Sequence, residues 1–182
     1  MAASQSTQPL AHPDRVRALV LVACSVSGGP ADADGPFQPV VQARLDALEA
    51  AEARADLAAL NELEAQVWLD GPAQPARRID GSLRELFLAM NGIALAAPDP
   101  GEAIEPSSAW GRLDEIRVPV LLVWGTFDFA HFETRMRELE RRLPGAQAFP
   151  MPGAAHLPNR EQPDRFNAGV ERFLSTLQRR DR

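Results

Sequence analysis

The feature that most constrains this chain is the run Val118 to Trp124, VPVLLVW, which is almost continuously apolar and rich in β-branched residues. It is entered through Pro119 and left through Gly125. A short segment with no polar face reads as a buried parallel strand, and its C-terminal end delivers Asp128 on a loop. An amphipathic helix follows, with Phe132, Met136, Leu139 and Leu143 at helical spacing and arginines and glutamates between them. Pro144-Gly145 stops that helix. A second strand runs from Gln147 to Met151, and a Gly-Ala-Ala turn presents His156. A carboxylate and an imidazole thus sit on loops after two strands of one sheet, where such sheets hold their chemistry. The pair suits an Asp that fixes the tautomer of a His and steadies its charged form.

The segments VPVLLVWGTFD and LPGAQAFPMPGAAHLPNREQPDRFNAGVERFL resemble the C-terminal end of an α/β-hydrolase-fold enzyme of the cap-bearing serine hydrolase type. HPDRVRALVLV, from His12 to Val22, is similar to the end of the helix after the nucleophile and the sixth strand. In that fold the chain order is nucleophile, acid, His. Asp128 matches the acid and His156 the general base. The resemblance implies an α/β fold with a mostly parallel sheet, of which this chain carries the equivalents of the last three strands. Residues 1–24 and 111–182 would form the core and 25–110 an inserted helical cap. The family's G-x-S-x-G elbow lies a helix-length before the HPDRV segment, and only eleven residues precede His12 here. The nucleophile and the oxyanion-hole donors are therefore expected to be encoded ahead of Met1, leaving the chain inactive or incomplete by itself.

Composition bounds the alternatives. At 182 residues and 45% hydrophobic, the chain can bury one sizeable core. A net charge of −6, with acids and arginines interspersed, argues against a nucleic-acid partner. No stretch reads as membrane-spanning, and the histidines are too scattered for a metal site; the family implies no cofactor. The single cysteine, Cys24, fits a reducing compartment, so a cytoplasmic location is expected. Leu21 to Cys24 imitates a lipoprotein box, but the apolar run before it is shorter than a signal core requires.

Residues 1–11 read as polar and disordered, and Val16 to Ala23 as a buried strand. Ser25 fits a small-x-nucleophile-x-small pattern, with Cys24 a weaker candidate. The glycines and prolines from Gly28 to Pro36 would break the helix such an elbow needs. Phe37 to Glu64 reads as one long helix with Val41, Leu45, Leu48 and Ala55 on one face. Glu64 to Gly71 leads into a turn, and Leu83, Phe87, Met90, Ala94 and Ala97 mark another helix. Trp68, Phe87 and Met90 are candidates to line a substrate pocket, and they fit equally well the commoner use of such residues as core. The stretch from Ala97 to Ser108 is a Pro-rich return linker. Trp110, Leu113 and Ile116 lead back to the sheet, and Pro163 starts a helix with Phe166, Val170, Phe173, Leu174 and Leu177 inward.

The function implied is hydrolysis of an ester, lactone or activated carbon–carbon bond of a small molecule. The alternative is a non-catalytic interaction protein. With its neighbouring strand encoded elsewhere, Val16 to Ala23 would present an open apolar edge to a complementing chain or a second copy.

Overall fold

The computed structural model describes residues 10, 12–29, 36–98, 101 and 108–180. The readings for the polar start, most of the Gly28 to Pro36 loop and most of the Pro-rich linker lie outside them. In chain order the elements are a 3₁₀ turn at Pro13–Arg15, β1 (Leu19–Val22), α1 (Pro39–Ala53), α2 (Leu57–Glu64) and a π-helical turn (Ala65–Asp70). There follow α3 (Ser82–Leu95), a 3₁₀ stretch (Trp110–Glu115), β2 (Val120–Gly125), α4 (Ala130–Arg142), β3 (Ala146–Met151), α5 (Pro158–Glu161) and α6 (Pro163–Arg180).

The three strands form one parallel sheet in the order β1-β2-β3, with Leu19 opposite Val120 and Val120 opposite Ala146. Every residue of the central strand is buried. Val120, Leu122 and Trp124 pack on Met136 and Leu139 of α4, while Leu121 and Val123 pack on Phe173 of α6. Side chains alternate across a strand, so a sheet covered on both faces demands the unbroken apolar run that the sequence shows. On α6, Phe166, Val170, Phe173 and Leu177 form the inward stripe. Leu174 was expected among them but is exposed, because one residue past Phe173 turns it about 100° around the axis.

In β1, Leu19 N–H donates to Pro119 and Ala23 N–H to Val123. The alternate residues Val20 and Val22 therefore direct their backbone groups to the other edge, where the described residues supply no strand.

The helical excursion after β1 departs from expectation in three places. The single helix expected over Phe37 to Glu64 is two: Ala55 takes φ 53°, which ends α1, and Asp56 caps α2 by accepting the Ala59 N–H. Within Glu64 to Gly71, the stretch expected only to lead into a turn, Ala65–Asp70 is a wound π turn that puts Ala65, Val67, Leu69 and Asp70 inside. The third departure is α3, which ends at Leu95 and so excludes Ala97. Its buried residue is Arg84, whereas Met90 is 64% exposed and Ile93 lies in solvent; the core reading of Met90 does not hold.

Asp70 explains the inversion. Its carboxylate accepts the N–H groups of Arg77 and Ile79 and pairs with Arg84, which also reaches Glu62. α3 is thus anchored by an ion pair on its inner side, with Leu86, Met90 and Ile93 exposed and Leu83, Phe87, Leu88 and Leu95 half-buried. Among the described residues no helix is long and apolar enough to cross a membrane, and no cluster of His, Cys, Asp or Glu suits a metal ion.

Candidate active site

Parallel strands end on the same edge of a sheet, so the loops after β2 and β3 emerge side by side. Gly125 lets them touch. A Cβ there would lie 2.0 Å from the Ala155 carbonyl oxygen and 2.2 Å from that of Ala154, so no larger residue fits. The loops are then laced together: Thr126 N–H donates to Met151 O, Phe127 N–H to Ala154 O at 2.8 Å, and Gly153 N–H to Thr126 Oγ1.

This juxtaposition brings His156 Nδ1 to 2.7 Å from Asp128 Oδ2. The Asp128 side chain is 1% exposed and that of His156 25%. The second carboxylate oxygen accepts the Phe129 N–H at 2.8 Å, which fixes the carboxylate plane. A carboxylate oxygen accepts, so Nδ1 is the donor of this bond, and in the neutral imidazole that tautomer makes Nε2 the acceptor nitrogen. Apolar rings enclose the imidazole: Trp68 at 4.8 Å between centroids and Phe132 at 5.1 Å. The Trp68 carbonyl also accepts the His156 N–H at 3.3 Å. Exclusion of water by these rings strengthens the bond to Asp128. Next to them His131 stacks on Phe129 at 5.1 Å. Burial pushes its pKa down, against the pull of Asp128, so it favours the neutral form in this wall.

The other residues singled out from the sequence fall as follows. Trp68 lies against His156. Phe87 and Met90 line a groove of about 600 Å³ whose opposite wall is Leu157 and Arg160, just after His156 in the chain. Ser25 Oγ accepts a hydrogen bond from Arg135 at 2.9 Å, and a guanidinium has no lone pair with which to take its proton. The Cys24 thiol is pushed by burial up to about 11, which keeps it protonated at neutral pH. Among the described residues no hydroxyl or thiol hydrogen-bonds the imidazole. Sequence reasoning missed Arg78 and Glu161, which pair at 2.6 Å behind the His156 loop. They stand 83 residues apart, and no local pattern announces such a pair.

No family model matches the chain. Over 86 residues, 47% of this chain and 31% of the other, it is 35% identical to a Bacillus subtilis (strain 168) protein described as a 2-succinyl-6-hydroxy-2,4-cyclohexadiene-1-carboxylate synthase. A thermophilic esterase from Thermogutta terrifontis superposes with a TM-score of 0.64 at 22% identity, covering 94% of this chain and 60% of that one. The enol-lactonase from Burkholderia xenovorans LB400 does so with a TM-score of 0.61 at 23% identity, covering 93% and 60%. The chain thus spans about 60% of the length of those two enzymes. The three parallel strands and the helices on both their faces therefore have the architecture of part of an α/β-hydrolase fold.

Proposed function

We propose that the chain works as the C-terminal portion of a serine hydrolase acting on an ester, lactone or activated carbon–carbon bond of a small molecule. Asp128 is the orienting acid and His156 the general base. The observation that carries this reading is the 2.7 Å Asp128–His156 contact, with Asp128 enclosed and held by the Phe129 amide. In this scheme His156 Nε2 takes the proton of a serine hydroxyl as that oxygen attacks the substrate carbonyl carbon. It then returns the proton to the leaving group, while Asp128 steadies the imidazolium. Residues 25–110 act as the cap, and Trp68, Phe87 and Met90 give the substrate an apolar lining. The serine and the oxyanion donors come from polypeptide beyond the described residues, entering beside the open edge of β1. The cytoplasm is the compartment that suits a lone, protonated Cys24.

The test is reconstitution. The gene sequence ahead of the first codon should encode a strand, a G-x-S-x-G turn and a helix. Co-expressed with that segment, the chain should hydrolyse p-nitrophenyl esters or lactones. H156A should abolish turnover, and D128N should lower it about 10⁴-fold through the wrong tautomer. Full turnover in H156A would overturn the assignment.

A further inference from the structure

The loop that carries His156 has no regular structure of its own, yet its imidazole must stay within hydrogen-bonding reach of Asp128. What holds it comes from outside its strand. Glu161 turns its carboxylate back along α5 so that Oε1 accepts the Ala155 N–H at 2.8 Å. Its Oε2 receives the Arg78 guanidinium at 2.6 Å. Arg78 donates as well to the carbonyls of Gly153 at 3.0 Å, Leu69 at 2.8 Å and Asp70 at 2.5 Å. Its cationic face lies over the Phe127 ring, 5.3 Å from the centroid. One side chain therefore ties the end of the π turn to the loop two ways, directly at Gly153 and through Glu161 at the residue immediately before His156.

We propose that Arg78 and Glu161 are positioning residues for His156, locking the loop after β3 to the π turn and so fixing the imidazole against Asp128. The inference rests on reading His156 as the general base. Ring contacts with Trp68 and Phe132 enclose the imidazole but are not directional, whereas a planar guanidinium with several fixed donors sets a geometry. Glu161 is 1% exposed, and burial holds its carboxyl above the usual value, opposed by Arg78 and the Ala155 amide. An ion pair kept at that desolvation cost adds little to stability. Its placement fits the demand that catalytic groups be held to well within an ångström.

The experiment follows the His156 Nδ1 proton by NMR in chain labelled with ¹⁵N-histidine. In the wild type it should resonate far downfield and exchange slowly with water. R78M and R78K should accelerate its exchange roughly tenfold or more, the scale of losing one charge-assisted hydrogen bond, and E161Q should do so less. R78K keeps the charge but cannot span four acceptors, so it and E161Q carry the test if R78M does not fold. Leu139→Val, a core change of comparable cost on the far face of the sheet, should leave exchange unchanged. Wild-type exchange in R78K and E161Q would overturn the clamp, as would equal acceleration in Leu139→Val. D128N reports on the underlying reading separately: if the downfield resonance survives it, the Asp128–His156 assignment fails whatever the Arg78 variants do.

Discussion

Asp70 and Arg84 meet at 3.0 Å with side chains 0% and 4% exposed, so the charged groups joining the π turn to α3 are almost fully out of solvent. Asp70 is also the acceptor for two backbone amides of the loop between them, from Arg77 and Ile79. Removing one partner strands the other. R84M should therefore destabilise the chain by about 3–5 kcal/mol in urea denaturation. The double variant D70L/R84M should recover only part of that loss, since the two amides remain without an acceptor. A cost below about 1 kcal/mol for R84M would show the pair to be dispensable.

Gly125 makes a sharper prediction. A methyl group there meets two carbonyl oxygens at 2.0 and 2.2 Å, both of them backbone and unable to rotate away. Gly125→Ala should cost about 3 kcal/mol or more, beyond the middle of the range for overpacking. It should also lengthen the Asp128–His156 contact, because the clash lies on the loop that carries His156. The readouts are the denaturation midpoint and the downfield imidazole proton.

Cys24 should be slow to alkylate. Its thiol is raised from 9.0 to about 11, and the thiolate is the reactive form. At pH 8 the native chain should react with iodoacetamide about a hundredfold more slowly than the urea-unfolded chain, in proportion to the thiolate fraction. Equal rates would place the sulfur in a polar, accessible setting.

His131 predicts an acid-side loss of stability. Burial lowers its folded value below 6.5, with Asp128 opposing. The unfolded chain then binds this proton more readily than the folded one. The contribution is complete above the unfolded value and is lost as pH falls through the lowered folded value. H131Q should flatten the stability profile below pH 6.5 relative to wild type. Parallel profiles would contradict the burial argument.

Local patterns in the sequence made much of the fold legible. β2, α4 and β3 follow from an apolar run, a helical stripe and a Pro-Gly stop, and the observed stripe of Phe132, Met136, Leu139 and Leu143 is buried throughout. The pattern was less reliable in the excursion. Leu83, Phe87 and Met90 have helical spacing, and α3 is a helix, but periodicity cannot say which neighbour a stripe meets. A buried Asp70 drew Arg84 inward and left Met90 in solvent. A π turn leaves no periodic signature in a segment of six residues, so the sequence marks this stretch only as the approach to a turn.

The sequence by itself determined that Asp128 and His156 would each sit at the C-terminal end of a strand. Strand length, turn residues and hydrophobic period are properties of neighbouring residues, and they suffice for that. Only the tertiary structure decided that the two side chains meet at 2.7 Å, that Gly125 permits it, and that Arg78 and Glu161 stand behind the loop. Those depend on close approach between segments far apart in the chain, where a few tenths of an ångström separate a hydrogen bond from a clash.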